Sequence, residues 1–298
     1  MIAQEIVNGL VLGAIYALMA LGYTMVYGIL RLINFAQGSL YTVGAYVAFL
    51  LVPATTGLER ATPILQLAVL LLAAMLATGV LAVLVDLIAY RPLRRAPLFA
   101  SLVSSLAMMV LLENLVQVVV GAQPETFPTL ISTTPWLIGP LAVTPAQVVL
   151  VAVAVLLMAG LQLFTQRTRL GRAMRAVAVS HDTAAMMGIP VNRVIALTFF
   201  LGGALGAAAG ILVGLNFGTI TFNMGDLAGL KAFTAAVLGG IGNIPGAVVG
   251  AVVLGLLESL SATVIPTQWT DAITFGVLIL VLALRPRGIL GERVAERV

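Results

Sequence analysis

Long apolar stretches follow one another along almost the whole sequence, and most of them are about as long as a bilayer is thick. A transmembrane helix needs roughly 20 consecutive apolar residues. The chain is 61% hydrophobic and only 9% charged, whereas soluble domains contain roughly a quarter charged residues, so a soluble fold is excluded. We predict an all-α, polytopic membrane helix bundle with about eight to ten transmembrane segments. The bundle is expected to occupy residues 1–298 as a single domain.

Two of the apolar segments depart from an ordinary span. The second opens with a polar run that includes Asn34 and Gln37, which suggests a broken or re-entrant element. The seventh is too short for a full span, and Gly242, Asn243 and Pro245 separate it from the eighth. This pattern is typical of a broken hairpin inside a bundle. The segments are about 6–29, 33–52, 64–89, 98–120, 146–164, 194–215, 229–241, 246–264 and 271–284.

Basic residues give the orientation of the segments. Twelve of the fifteen Lys and Arg residues lie in three clusters, 91–95, 167–193 and 285–297, and short basic loops stay in the cytosol. The stretch 121–145 has no Lys or Arg and contains Trp136, which is typical of a membrane interface, so we predict that it is external. If all nine segments cross, the N-terminus is external; if one fails to cross, it is internal. The net charge of +4 is a topology signal and does not indicate nucleic-acid binding.

The longest polar insert, residues 166–193, has the pattern of two short helices. Leu170, Met174 and Val177 lie at i, i+4 and i+7 and predict an amphipathic surface helix. Ser180 or Asp182 can cap a second helix, because a side-chain oxygen accepts hydrogen bonds from its free N–H groups. We expect Gly188 to end this helix in a left-handed conformation and Pro190 to prevent its continuation. The apolar edge of the second helix would consist of Ala184, Ala185, Met187 and Ile189.

Composition leaves two interpretations of this insert open. The first is a helix that lies flat on anionic lipid, attracted by its arginines. The second is a docking helix that enters a groove on a soluble partner. The arrangement of the whole chain, in which this is the one long cytosolic insert, favours the docking helix.

Two further groups of residues lie within or at the edges of the apolar segments. Glycines spaced four apart predict close helix packing, because each Gly in a helix costs roughly 1 kcal/mol relative to Ala. Polar groups in a membrane need a partner or a wet cavity, because burying an ionisable one costs about 2.5 to 3.5 kcal/mol. Each can be explained by an interhelical hydrogen bond, and together they suggest a substrate path. The glycines are Gly202, Gly206, Gly210, Gly214, Gly242, Gly246 and Gly250, and the polar residues are Asn34, Gln37, Glu113, Asn114, Asn216, Lys231 and Glu258.

The sequence excludes several chemistries by inventory. Lys231 is the only lysine and is not part of a G-x-x-x-x-G-K-[ST] loop, so the chain cannot hydrolyse ATP in the P-loop manner. His181 is the only histidine and there is no cysteine, so no His/Cys metal cluster can form. We interpret His181 as a solvated loop residue. No serine lies in G-x-S-x-G. We therefore expect no enzymatic activity, no metal and no cofactor.

Three stretches resemble a known family: NGLVLGAIYALMALGYTMVYGILRLINFAQG, GRAMRAVAVSHDTAAMMGIPVNRVIALTF and LAGLKAFTAAVLGGIGNIPGAVVGAVVLGLLES. They are similar to the H-type permease subunits of branched-chain amino acid ABC importers in the bacterial inner membrane. The resemblance implies a second, M-type permease subunit, two cytosolic ATP-binding subunits that consume the ATP, and an extracytoplasmic solute-binding protein as partners. It also implies that the insert 166–193 is the coupling element to which the ATP-binding subunits bind. Its coupling residues would be Gly171, Arg172, Arg175, Asp182, Ala184, Ala185, Gly188, Ile189 and Pro190.

The sequence thus predicts a non-enzymatic translocation subunit for branched-chain amino acids, driven by ATP hydrolysis on other chains. One alternative is a permease for urea, short amides or another small solute on the same scaffold. An alternative of another class is an ion-coupled secondary transporter, which would need no ATPase and commonly places charged ion sites at mid-membrane.

Overall fold

The computed structural model describes residues 2–55, 57, 62–94, 96–139, 141–263, 266–285 and 288–291. These ranges contain eleven α-helices and four short β-strands, which confirms the prediction of an all-α bundle. Seven helices, two of them with short 3-10 or π extensions, are long and apolar enough to cross a membrane. The helices are α1 Ile2–Leu30, α2 Ala36–Leu51, α3 Pro63–Val85, α4 Leu98–Val120, α5 Pro145–Arg167, α6 Arg169–Val179, α7 His181–Met186, α8 Val191–Phe217, α9 Met224–Gly239, α10 Ile244–Ser261 and α11 Thr270–Leu284.

Helix α1 lies at the centre of the bundle and contacts α2, α5, α8, α9 and α10. Its closest neighbour is the antiparallel α10, because glycines on α1 leave room for the α10 backbone. A Cβ on Gly13 would lie 2.9 Å from the Cα of Val252, and a Cβ on Gly9 would lie equally close to the Cα of Leu256. Small residues of this kind bring membrane helices close enough for extensive van der Waals contact.

The four glycines of the sixth segment lie on one face of α8, which packs against α1, α2 and α3. The closest approach is at Gly210, where a Cβ would lie 2.2 Å from the carbonyl oxygen of Tyr41 on α2. Gly202 and Gly206 both lie beside the side chain of Gln37. Gly214 instead packs against the Phe127 ring, which comes from the loop after α4.

Helices α9 and α10 form the broken hairpin that the sequence predicts. The break is at residues 240–243, where Gly242 has a φ of +95°. Gly246 and Gly250 both face the α9 backbone, and a Cβ on Gly250 would lie 2.2 Å from the carbonyl oxygen of Ala235. Helix α9 begins at Met224, five residues before the predicted start of the seventh segment.

Segment two differs from its prediction. Ala36–Leu51 is one continuous helix, extended by a 3-10 turn at Val52–Thr55, so the expectation of a broken element there is wrong. The polar residues at its start have partners: Gln37 donates to a backbone carbonyl of α8, and the side-chain oxygen of Asn34 accepts from a tyrosine, whereas the amide nitrogen of Asn34 has no partner among the described residues. Paired polar groups avoid most of the cost of burial in the membrane.

Contacts in the external loop orient the N-terminus. The side-chain amide of Gln4 donates to the carbonyl of Ala142 at 3.0 Å and accepts from its N–H at 2.9 Å. The N-terminus therefore lies on the same side as the Lys- and Arg-free loop. The nine-segment count requires this side, but in the described ranges only seven helices have the length and hydropathy of a span, and α9 and α11 are shorter. The loop contains three strands that the sequence analysis did not predict. β2 Trp136–Ile138 pairs with β3 Leu141–Val143 inside the loop, and β1 Glu125–Thr126 pairs with β4 Thr219–Ile220, which follows α8.

Some of the expectations fall on residues that the structure does not describe. These are Arg95 in the first basic cluster, Arg287 and the charged tail 292–298 in the third, and Val264 at the end of the eighth segment.

Candidate functional site

The insert between α5 and α8, residues 166–193, forms an elbow of two short helices, α6 and α7, as predicted. The chain turns at Thr168, whose hydroxyl donates to the carbonyl of Phe164 at 2.7 Å and accepts from the N–H of Gly171 at 3.0 Å. This single side chain ends α5 and caps α6. Because a capping side chain satisfies a free helix-end group, it fixes the angle between the two helices.

The buried face of α6 differs from the predicted one. Met174 and Val177 are buried, but Leu170 is 51% exposed, so its assignment to this face is wrong. Gly171 lies on the buried face instead, because α6 crosses the end of α5 so closely that no space is left for a side chain at this position. A Cβ on Gly171 would lie 2.3 Å from the carbonyl oxygen of Thr165.

The ends of α7 have the local chemistry that the sequence predicts. The Ser180 hydroxyl accepts from the N–H of Thr183 at 3.3 Å, so Ser180 is the cap. Gly188 has a φ of +79°. The N–H of Ile189 donates to the carbonyl of Ala184 at 3.0 Å, which is the six-residue hydrogen bond of a Schellman ending. The backbone then passes through Pro190 into α8.

Two side chains fasten the elbow to the membrane helices. The guanidinium of Arg175 donates to the carbonyl of Thr165 at the end of α5. The His181 ring lies 3.0 Å from the carbonyl oxygen of Ile29, at the end of α1. The ring surface is exposed, but it is anchored to α1, which corrects the interpretation of His181 as a solvated loop residue. No local pattern could indicate this contact, because His181 and Ile29 lie 152 positions apart in the chain.

The outer surface of the elbow combines apolar and charged side chains. Met186 is 87% and Met187 79% exposed, and Val179 is 80% exposed. Ala184 is buried within the elbow, whereas Ala185 is exposed and Ile189 is half-buried. Methionines adapt their shape readily, which suits them to a contact surface. Arg172, Arg175 and Asp182 are exposed beside these apolar side chains.

Arg94 connects the elbow to the α3–α4 turn, a contact that the sequence analysis missed. Its guanidinium donates to the side-chain oxygen of Asn192, at the start of α8, over 2.6 Å. The same group forms an ion pair with Asp86. The basic cluster indicated only the side of the membrane, and nothing in the local pattern indicated this partner.

Three of the predicted polar residues, Asn216, Lys231 and Glu258, line one cavity of about 450 Å³. The Lys231 ammonium lies 2.6 Å from a Glu258 carboxylate oxygen and 2.7 Å from one of Asp271. The hydroxyl of Tyr16 donates to the other Glu258 oxygen at 2.9 Å. These groups join α1, α9, α10 and α11, and the structure adds Tyr16 and Asp271 to the set that the sequence identified.

The other four predicted polar residues lie elsewhere in the bundle. Asn34 is buried and accepts from the Tyr90 hydroxyl at 2.6 Å, and Gln37 donates to the carbonyl of Gly202 at 2.8 Å. Glu113 accepts from the Ser39 hydroxyl at 3.1 Å, between α4 and α2. Asn114 is exposed on the outside of α4 and donates to a carbonyl of its own helix. The structure thus brings the predicted residues into several separate sites.

The described residues include no group of three His, Cys, Asp or Glu side chains that could hold a metal ion. The elbow and the charged cavity lined by Lys231 and Glu258 are two features with a distinct chemistry.

A polytopic bundle with a capped, partly apolar elbow on its basic side defines an integral membrane protein. The family model described as the permease component of branched-chain amino acid transport systems matches residues 5–282. The chain belongs to this family. It is a multi-pass protein of the inner membrane.

Individual relatives match over nearly the whole chain. The high-affinity branched-chain amino acid transport system permease protein BraD of Pseudomonas aeruginosa is 43% identical, over 99% of this chain and 97% of its own length. LivH of Escherichia coli K12, with the same description, is 41% identical over the same shares. A solved structure of a metal-chelate type ABC transporter in an inward-facing conformation covers 95% of this chain and 87% of its own, with a TM-score of 0.50 and 17% identity. That likeness concerns the fold alone.

Proposed function

We propose that this chain is the permease subunit through which branched-chain amino acids cross the membrane, driven by ATP hydrolysis on separate cytosolic subunits. The elbow supports this proposal most directly. A partner can shift a conformational equilibrium only through contacts that differ between the two states. A bundle of apolar helices offers few such contacts to a soluble protein, and the elbow offers several.

The elbow has the properties of a docking element for an ATPase. Met186, Met187 and Val179 offer apolar surface, and Arg172 and Asp182 offer charges at its rim. The elbow is tied to α5 by Thr168 and Arg175 and to α1 by His181. Movement of the elbow would therefore be passed to the centre of the bundle. Rocking of this kind converts outward-open into inward-open states in alternating access.

Four partners follow from this role. The family is a component of a transport system, and under this proposal the ATP is hydrolysed on other subunits, because this chain contains no P-loop. We propose two ATP-binding subunits at the elbow, a second permease of the M type beside this chain, and an extracytoplasmic binding protein that delivers the substrate.

Transport by the reconstituted complex tests the proposal. Vesicles that contain both permeases and the ATPases, with the binding protein outside and ATP inside, should accumulate leucine. Vesicles without the ATPases should not. Accumulation without the ATPases would overturn the proposal in favour of an ion-coupled transporter. Uptake of urea or acetamide with no uptake of leucine would favour the small-amide alternative.

Cross-linking tests the docking site separately. The chain has no cysteine, so Met187→Cys creates a unique thiol on the elbow. A bifunctional cross-linker at this thiol should capture an ATP-binding subunit. Thr133→Cys, exposed in the external loop, is the matched control and should capture none. Equal capture from both positions, or none from Met187→Cys, would contradict the assignment of the elbow.

A further inference from the structure

The charged cavity lies at the external end of the bundle. Its walls come from the start of α1, the ends of α8 and α10 and the start of α11. Ser259 donates to the carboxylate of Glu5 at 2.8 Å, which joins the end of α10 to the start of α1. The Gln4–Ala142 contact places this end of α1 on the side of the external loop. The cavity is therefore on the face at which a substrate arrives.

The charges around the cavity do not balance. Among the residues that the structure describes, three carboxylates, those of Glu5, Glu258 and Asp271, line it together with a single ammonium, that of Lys231. Lys231 already donates to Glu258 and Asp271 at 2.6 and 2.7 Å. The side chains of Lys231 and Glu258 are only 11% and 14% exposed, so water screens them weakly, whereas that of Asp271 is 45% exposed. The cavity thus presents an excess of negative charge.

A second, independent feature is the hydroxyl of Thr270. This residue lines the cavity and is 8% exposed, and its hydroxyl has no hydrogen-bond partner in the structure. A buried hydroxyl without a partner costs about 1 to 3 kcal/mol. A ligand with a hydrogen-bonding head group would remove this cost.

One part of the remaining wall suits an aliphatic group, beside the polar side chains of Asn8, Gln147 and Asn216. Val11, Leu12 and Phe217 line the same cavity, whose volume of about 450 Å³ lies within the range of small-molecule sites, roughly 300 to 1,000 Å³. Excess carboxylates beside apolar walls match a primary ammonium that carries an aliphatic chain. A neutral amide or urea offers no charge to the carboxylates.

We infer that this cavity is a binding site within the permease for the ammonium end of an aliphatic amino acid on its way from the binding protein. The inference rests on the proposed function and extends it, because the permease would then select its substrate for a second time. Glu5 and Asp271 hold the ammonium group, Thr270 contacts the head group, and Val11, Leu12 and Phe217 contact the side chain.

Thiol protection tests the inference without relying on transport. Asn8 lines the cavity beside Glu5, and Asn8→Cys is the only thiol in this subunit. The experiment measures its labelling by a maleimide in the assembled complex without the binding protein. Leucine and isopentylamine should slow labelling by about tenfold at roughly nine times their Kd, because only the empty cavity reacts. Acetamide, urea and 4-methylpentanoate, which lacks the ammonium group, should not slow it.

Controls separate occupancy from other effects. Thr133→Cys lies outside the cavity, and leucine should leave its labelling rate unchanged. In the Asn8→Cys background, Glu5→Gln should weaken protection by leucine, whereas Glu125→Gln, in the external strand β1, should not. If Asn8→Cys fails to assemble, Asn216→Cys offers a second thiol in the same cavity.

The outcomes distinguish this inference from the proposed function. If the complex transports leucine with ATP but leucine never slows labelling at either cysteine, the inference fails and the proposed function stands. Equal protection by 4-methylpentanoate or acetamide also overturns it, because the ammonium would then not be recognised. If the complex does not transport leucine at all, the proposed function fails first.

Discussion

The Arg94 guanidinium holds the Asp86 carboxylate through two hydrogen bonds from one nitrogen, 2.7 and 2.8 Å long, at the cytosolic end of α3. Asp86 is 1% exposed and begins the π turn that follows α3. The same guanidinium also reaches Asn192 at the start of α8. Arg94 therefore links the turn between α3 and α4 to the exit of the elbow.

Removal of only the arginine of this ion pair should destabilise the folded protein. Arg94→Met leaves the buried Asp86 carboxylate without a partner, which typically costs about 3 to 5 kcal/mol. We expect a clearly lower melting temperature of the purified complex in detergent. The double variant Arg94→Met with Asp86→Asn should recover much of the loss, because no buried charge remains. If the double variant melts at the same temperature as Arg94→Met alone, the loss has another cause.

Gly171→Ala should separate the elbow from α5. The new Cβ would lie 2.3 Å from the carbonyl oxygen of Thr165, and overpacking of this kind costs about 1 to 3 kcal/mol. A penalty of that size shifts the balance between docked and undocked elbow by roughly 5- to 150-fold. We expect the complex to assemble and to hydrolyse ATP with reduced leucine uptake per ATP.

Gly160→Ala is the matched control for this substitution. Gly160 lies on α5, the helix that Gly171 of α6 packs against, and a Cβ at this position would have no atom within 4 Å. Uptake per ATP should stay at the parental value. A loss of coupling in both variants, or in neither, would contradict the role assigned to the contact between α5 and α6.

The features that could be predicted from the sequence are those that local chemistry determines. Ser180 caps α7 and Gly188 ends it because both act within a few residues of their own position. The glycine spacing of α8 was visible in the same way, since a four-residue repeat keeps one face of a helix small. The basic loops and the loop that contains Trp136 indicated which ends of the helices face the cytosol, because both signals come from residues close together in the chain.

Contacts between residues far apart in the chain could not be predicted. Lys231 and Asp271 meet only because α9 and α11 pack side by side. His181 reaches α1 only because α6, the helix that precedes it, also packs against α1. Leu170 was assigned to the wrong face because periodicity alone could not reveal how closely α6 crosses α5. The strand pairing of Glu125 with Ile220 likewise has no local signal.

The packing of α8 against α2 gives a prediction about stability. Gly210→Ala would place a Cβ 2.2 Å from the carbonyl oxygen of Tyr41, a backbone atom that cannot move without displacing α2. We expect destabilisation of at least about 1 to 3 kcal/mol, seen as a lower melting temperature of the complex in detergent. Gly276→Ala on α11, where a Cβ meets nothing within 4 Å, should leave the melting temperature unchanged or raise it. Equal melting of the two variants would refute the close approach of α8 and α2.

Substitutions at Gly188 test the backbone conformation of the elbow without changing its packing. A Cβ at this position would have no atom within 4 Å, but φ is +79°, a backbone region that costs side-chain-bearing residues about 1 to 2 kcal/mol. Gly188→Val should therefore distort the end of α7 without filling any space. We expect insertion and assembly at parental levels, with ATP-dependent leucine uptake strongly reduced.

Gly188→Asn provides the comparison, because Asn tolerates the left-handed region better than other residues with a side chain. It adds a side chain of similar bulk to Val at the same exposed site. We expect it to retain most of the uptake that Gly188→Val loses. If both variants transport leucine at the parental rate, the backbone conformation at the end of α7 does not matter for coupling. If both variants lose leucine uptake equally, any side chain added at position 188 blocks the ATP-binding subunit. Gly188 would then be needed for the space it leaves and not for its φ angle.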